Sequence, residues 1–326
     1  MIAFVLRRTV GAVLLVLAVS SAAFVLTRLA PGDAAEFRLG LGASQEAIAR
    51  ARREAGLDRP LGAQYVEWLR RLATFDAGRS VLYNRPVGPL VRERARNTAL
   101  LAACALSVAL ATGIGLALAT ASRPRTVAAR AVRAGSLVCV SLPPFITSLA
   151  LVWVAARTGW FPAGGLPPAA ADGSLAAWLV SLAWHLPLPA LALAIPLAGT
   201  FERVQGQALA EALGSPAVQA ARARGYSPAA IVRRHAWRLS IKPVAALGGL
   251  AFGALLSGSF AVEMVTAWPG LGRLTFDALR ARDLDLVAGC ATAGALVLSA
   301  GLLLADLVAA WSDPRVRESG GGGPPR

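Results

Sequence analysis

The stretch QAARARGYSPAAIVRRHAWRLSIKP, Gln219 to Pro243, closes a polar, basic insert (Glu202–Lys242) flanked on both sides by long runs free of Asp, Glu, Lys and Arg. Its punctuation indicates how it folds. Gly214-Ser215-Pro216 and Gly225-Tyr226-Ser227-Pro228 read as two copies of one device. Gly suits the left-handed end of a helix, Ser caps the next helix, and Pro fits that helix's first turn. The spacing predicts a short helix over Pro216–Arg224, a sharp turn, and a second helix over Pro228–Leu239. A flexible loop would not need such corners. Ala217, Ala220, Ala221 and Arg224 share one face of the short helix by their spacing. Small side chains there allow close approach to another protein surface, and Arg222 and Arg224 put charge at the helix end. The apolar side lacks the Trp, Phe or Leu that anchors an interfacial helix, so the element reads as a protein-docking rod.

Outward from the insert, the apolar runs are Thr9–Thr27, Asn97–Ser122, Ala134–Ala156, Gly173–Phe201, Pro243–Val262 and Leu286–Ala305. Each meets the roughly 18 to 20 residues that cross a hydrocarbon layer. The chain therefore reads as an all-α polytopic membrane protein with six transmembrane helices. Its 326 residues are 56% hydrophobic, which excludes a disordered chain and argues against a soluble globule. The net charge of +15 comes almost wholly from Arg, since Lys242 is the only lysine. These arginines sit in loops beside the spans, where anionic lipid and orientation explain them better than nucleic acid does. Cys104, Cys139 and Cys290 fall inside apolar runs with no metal-ligand spacing.

Arg7 and Arg8 precede the first span and place the N-terminus in the cytoplasm. Six crossings then put Arg123–Arg133, the Glu202–Lys242 insert and the C-terminal tail on the same side. Residues 1–30 read as a retained span, because no clear cleavage site follows the apolar stretch. Arg28–Arg96 must lie outside despite its arginines, and it exceeds the length for which the charge rule holds. Ser44 is placed to cap a helix running to Ala55, with Gly56 beyond it. Leu61–Leu72 carries Tyr65, Trp68, Leu69 and Leu72 at helical spacing. This region reads as a small helical extracytoplasmic insertion after the first span.

The spans look built to move. Pro143 and Pro144 lie within the third, and Pro187, Pro189 and Pro196 within the fourth. Proline frees a carbonyl and kinks a helix, which membranes tolerate only against protein or water. Gly113, Gly115, Gly248, Gly249, Gly253 and Gly258 offer close helix packing. Glu263 and Asp306 are the ionisable residues nearest a pathway, each close to the end of its span. Few mid-span charges argue against a proton-coupled pump. A nucleotide-binding loop needs Gly-Lys-Ser/Thr, and Lys242 stands between Ile241 and Pro243, so ATP hydrolysis is not in this chain. His185 and His235 have no nucleophile or metal-ligand partner in sequence, and His235 reads as a capping or packing residue. No catalytic or metal site is expected.

With these residues assembled, the insert resembles the cytoplasmic coupling motif of ABC importer permeases, E-A-A-x3-G with a proline eighteen residues beyond the glycine. Here the pattern is Gln219-Ala220-Ala221-x3-Gly225 followed by Pro243, with Gln in place of Glu. The inner I-x-L-P of the motif is His235-Ala236-Trp237-Arg238. Both departures, with the phrase from Arg234 to Arg238, resemble the dipeptide/oligopeptide/nickel "B-type" branch. Arg7-Arg8 with Arg28-Leu29-Ala30-Pro31-Gly32-Asp33 is similar to that branch's N-terminus. Glu263-x4-Trp268-Pro269-Gly270-Leu271-Gly272-Arg273 is similar to its fifth-span exit, and Asp313-Pro314-Arg315 to its C-terminal end.

The resemblance implies a type I ABC importer permease fold in a bacterial inner membrane. It implies a second homologous permease, two cytoplasmic ATPase subunits that bind ATP and Mg, and an extracytoplasmic substrate-binding protein. No cofactor is expected on this chain itself. The ATPase-coupling residues would be Gln219, Ala220, Ala221, Arg222, Arg224, Gly225, Ser227, Pro228, Arg234 and His235. The gate or pathway candidates are Pro143, Pro144, Glu263, Trp268, Pro269 and Gly270. Residues 1–93 would hold the first span and the extracytoplasmic helices, 94–310 the permease core with its coupling segment at about 211–243, and 311–326 a cytoplasmic tail. Di- or oligopeptides are the expected substrate, with nickel or glutathione as alternatives within the branch. An ion-coupled secondary transporter is the rival from another class and would need mid-span ionisable residues and an inverted repeat.

Overall fold

A segment in lipid must close its backbone hydrogen bonds on itself, and an α-helix does so within one stretch of chain. The computed structural model follows that rule and describes residues 2–29, 44–54, 58–74, 76–166 and 174–312. Among the described residues, four helical stretches are long and apolar enough to cross a membrane: Leu6–Leu26, Val87–Ala121, Pro228–Leu256 and Leu284–Leu303. Two bent helix pairs bring the total to six if each pair counts as one span.

In chain order α1 is Ile2–Leu29, α2 Gln45–Glu54, α3 Leu61–Ala73 and α4 Val87–Ala121. The third apolar run is divided into α5 (Val127–Ser141) and α6 (Pro144–Thr158), bent by 103°. A residue before proline is driven out of the helical region, and here Leu142 and Pro143 both precede one. Each is extended, with ψ of 117° and 139°. The fourth run is α7 (Leu175–His185) and α8 (Pro187–Leu213), bent by 46°. Beyond them lie α9 (Pro216–Ala223), α10 (Pro228–Ile231), α11 (Trp237–Gly258), α12 (Phe260–Val265), α13 (Leu271–Arg280) and α14 (Leu284–Ser312).

Two expectations are corrected here. The fourth span does not stop at Phe201: α8 runs on to Leu213, and Glu202 and Gln205 are buried inside the fold. Gln205 Nε2 donates to Ser240 Oγ of α11 at 2.7 Å, so the helix continues because its polar residues have a protein surface to meet. The second helix of the insert does not end at Leu239 either. It passes from α10 through a π-helical turn, Val232–Ala236, directly into α11, with Pro243 inside that helix.

The chain forms two compact units. One comprises Met1–Arg7, Ala99–Trp268 and Ala300–Arg326. Its centre is α8, against which α5, α6 and α11 pack, with Ala109, Ala194, Phe201, Val244 and Ala251 in the core. Glycines set the closest approaches. A Cβ on Gly113 of α4 would lie 2.6 Å from the Ala198 carbonyl oxygen of α8, and one on Gly301 of α14 would lie 3.1 Å from Gly253 Cα of α11. Of the glycines singled out in the sequence, Gly113 and Gly253 sit at such close approaches, while a Cβ on Gly115 or Gly258 would meet nothing within 4 Å.

The other unit comprises Arg8–Thr98 and Pro269–Ser299. Val87, Leu90 and Val91 of α4 pack on Leu271, Leu274, Leu286 and Val287. Buried Asp283 holds the 76–86 loop in place. It accepts the Ser80 hydroxyl at 2.6 Å and the Leu82 N–H at 3.0 Å, while its other oxygen accepts the Leu286 N–H at 3.2 Å. Ser44 accepts the Ala47 N–H at the start of α2, as its position in the sequence predicts. The Gly56 cap, the Ala30–Asp33 phrase and the Asp313–Arg315 phrase lie outside the described residues.

Candidate functional site

The rod α9 is built by its corners. Ser215 Oγ accepts the Val218 N–H, Pro216 sits in the first turn, and Arg222 places positive charge in the last turn, where the helix dipole favours it. The chain then reverses at Gly225, whose φ is +81°. The Gly225 N–H donates to the Arg222 carbonyl at 2.9 Å and the Tyr226 N–H to the Ala221 carbonyl at 3.3 Å. That nested pair is the Schellman closure, and it needs a left-handed residue at its centre. Ser227 Oγ accepts the Ala230 N–H to open α10, with Pro228 in its first turn.

The two corners are not copies of one another. Gly214 has φ −84° and ψ −8°, a right-handed conformation, and only Gly225 uses glycine's freedom. At Gly214 the chain leaves α8 through short bonds, Gly214 N–H to Glu211 and Ser215 N–H to Ala212. Ser215 also donates its hydroxyl to the Ala212 carbonyl at 2.7 Å, so serine carries out that corner.

The rod's faces also differ from the reading of spacing alone. Ala221 is fully buried, together with Val218. Both pack against Leu209 and Ala212 of α8, Ala117 of α4, and Ile231, Val232 and Ala236 beyond the turn. The four-residue face is therefore divided: Ala217, Ala220 and Arg224 are exposed beside Gln219 and Ala223, while Ala221 belongs to the core. Val218, not singled out from the sequence, fixes the inner face. Its signal was legible, since it is the one large apolar side chain on α9 and stands three residues before Ala221.

Gln219 Nε2 donates to the Gly214 carbonyl and Arg224 Nε to the Ala220 carbonyl, so both side chains fold back along the rod. Arg222, Arg233, Arg234 and Arg238 are exposed and form no ion pair among the described residues. Tyr226 and His235 pack edge to face across the turn with ring centroids 5.2 Å apart. The π-helical turn that carries His235 closes with the Trp237 N–H donating to Val232, five residues back. Such single-turn bulges are rare overall and frequent at functional sites. Here Val232 and Ala236 point into the core beneath the rod and the basic residues point out.

The gate candidates fall into two groups. Pro143 and Pro144 are exposed and form the break between α5 and α6, with Pro143 capping α6. Glu263 and Trp268 are fully buried. Glu263 accepts the Ser259 hydroxyl at 3.0 Å, and the loop after α12 turns at Ala267 with φ +51°. Gly165 N–H donates to the Thr266 carbonyl, closing a neighbouring loop onto that turn. Pro269 offers its carbonyl to Asn97 Nδ2 at 2.8 Å, and extended Gly270 leads into α13, where the Leu271 N–H meets Thr98 Oγ1 at 2.8 Å. In the Trp268-Pro269-Gly270 phrase, Trp268 is buried and Pro269 is hydrogen-bonded through its carbonyl. A cavity of about 650 Å³ touches none of these residues; it is lined by Glu67, Arg70, Arg71, Asp76, Arg79 and Pro86 among others. Asp306 lies in α14, with its side chain outside the described residues.

Residues 111–318 match the family described as "Binding-protein-dependent transport system inner membrane component", and residues 1–84 match the N-terminal family of the same transport systems. A Brucella abortus (strain 2308) protein named as a peptide transport system permease is 35% identical over 97% of this chain and 99% of its own. A Brucella ovis protein named as a peptide permease is 32% identical over 97% of this chain and 99% of its own. The oligopeptide transport system permease protein AppB of Bacillus subtilis is 29% identical over 97% and 99%. Buried rod face, capped corners and end-to-end similarity agree: this chain belongs to the family of binding-protein-dependent transport system inner membrane components, the ABC importer permeases.

Proposed function

We propose that this chain is the translocating subunit of an ATP-driven importer of di- or oligopeptides, and that α9 is the joint through which ATPase motion enters it. The observation that carries the reading is the two-sidedness of α9. Its inner face, Val218 and Ala221, is packed onto the ends of α4 and α8 and onto the start of the helix that becomes α11. Its outer face is shallow, alanine-bearing and bordered by exposed arginines. A rod held on one side by the bases of three spans and open on the other passes displacement to those spans as a unit, because packed interiors transmit strain. Peptides are the favoured cargo because the relatives are named for them. The partners are a second permease, two ATPase subunits that hold ATP and Mg, and an extracytoplasmic binding protein, with both termini of this chain in the cytoplasm.

The test is co-reconstitution of the chain with the permease, ATPases and binding protein encoded beside it, followed by uptake assays with labelled oligopeptide, glutathione and Ni²⁺. ATP-dependent accumulation of peptide is the expected result. Accumulation of only glutathione or nickel would overturn the substrate reading, and uptake that persists without the ATPases would overturn the joint.

A further inference from the structure

The helix α3 has thirteen residues and none of them is buried. A helix of that length is marginal in water without a packed face. At about 100° per residue, Trp68, Leu61, Leu72, Tyr65, Leu69 and Val66 form one apolar arc about 160° wide. Arg70, Glu67 and Arg71 fill the opposite side. One half of the arc is covered: Phe24 of α1 meets Tyr65 and Trp68 with ring centroids 5.5 and 5.3 Å apart. The arc is open beyond Tyr65, where Val66 is 65% exposed, and at its first turn, where Leu61 is 57% exposed.

The position of that contact sets the level of α3. Phe24 lies two residues from the end of the apolar stretch Leu6–Leu26. The Tyr65 hydroxyl meets Ser21 Oγ at 2.8 Å, and Ser21 stands about 7.5 Å below that end at 1.5 Å per residue. Here α1 turns Ser20 and Phe24 into the protein, while Val25 and Leu26 beside them are 47% and 67% exposed, and only 11% of its apolar window is buried. The open arc of α3 is therefore continuous with a lipid-facing surface.

We infer that α3 lies within the membrane interface, its Leu61–Leu69–Val66 side seated on phospholipid of the leaflet at the C-terminal end of α1. Trp and Tyr favour that boundary. Exposed Arg59 and Arg70 border the Val66 edge of the arc, where their stems can lie along it and their guanidinium groups meet lipid phosphates, while Arg71 pairs with Glu67 at 3.4 Å on the far side. The segment is an anchor in the plane of the membrane, which differs from a cap standing in water above it.

The experiment uses the full-length chain in phosphatidylcholine/phosphatidylglycerol vesicles. Cys104, Cys139 and Cys290 are replaced by Ala, and a nitroxide is placed at Leu61→Cys or Val66→Cys. Collision with oxygen and with a water-soluble nickel chelate then reads depth. Both probes are expected within about 10 Å of the phosphate plane, unchanged by adding the extracytoplasmic binding protein. Free access of the chelate to both sites overturns the proposal. So does loss of both collision signals when the binding protein is added, which would make the surface a protein dock. Because the substituted chain can fail to fold, the unsubstituted chain is also irradiated with a phospholipid carrying a diazirine just below its headgroup. Adducts on Leu61–Leu72 are expected, and adducts confined to the spans overturn the proposal.

Discussion

Neighbouring alanines on α9 make opposite predictions. Ala220 is exposed and Ala221 is fully buried between Val218, Leu209 and Ala236. Asp at position 221 leaves an uncompensated charge in a packed apolar cluster, which costs about 3–5 kcal/mol. Asp at position 220 stays in solvent and changes stability by no more than about 0.5 kcal/mol. Yet it puts a carboxylate in the middle of the face that the proposed function assigns to the ATPase. Purified chain should therefore show a melting midpoint at least about 5 °C lower for Ala221→Asp and unchanged for Ala220→Asp. In the assembled complex, Ala220→Asp should weaken ATPase retention at least about tenfold, equal to 1.4 kcal/mol, and stop peptide uptake. Wild-type ATPase retention and uptake by Ala220→Asp would refute the docking face. Wild-type thermal stability of Ala221→Asp would refute the buried one.

Three other outcomes are expected. Gly225→Val meets no atom within 4 Å of its Cβ, so only the +81° backbone resists it; about 1–2 kcal/mol of strain should re-aim the rod and lower peptide carried per ATP hydrolysed, while Gly225→Asn, which tolerates that conformation, stays near wild type. Asp283→Asn keeps the shape but loses charge in its bonds to Ser80, Leu82 and Leu286; a loss of about 1.5–3 kcal/mol should speed proteolysis at Arg79 and Arg85. Burial, and next the Asp277 carboxylate, push the Tyr83 phenol above its ordinary 10.0. The fold thus favours the neutral phenol: its contribution to stability is complete below pH 10.0 and is lost as pH rises through the raised value. Difference titration against Tyr83→Phe should show the missing absorbance step above pH 10.0.

The elements themselves were legible in the sequence because their causes are local. An uncharged apolar run has to be helical in lipid, and Ser-Pro after a Gly starts a new helix wherever it occurs. Ser215, Ser227 and Gly225 are therefore found doing what their types predict, and Pro143–Pro144 breaks its run. The size of that break, 103°, was not legible, since the prolines permit a bend and the packing of α5 and α6 on α8 sets its angle. Glu202 and Gln205 looked like the start of a solvated loop, and a partner 35 residues away, Ser240, lies beyond any local pattern.

Residue chemistry alone determined that this chain crosses a membrane and interrupts its spans with a capped rod. Which side of that rod faces the protein was decided only when α9 met α4 and α8. An alanine's spacing places it on a helix face, and burial depends on side chains brought there from more than a hundred residues away, such as Ala117. For the same reason α3 reads as an ordinary amphipathic helix until Phe24 and Ser21 of α1 give it a depth.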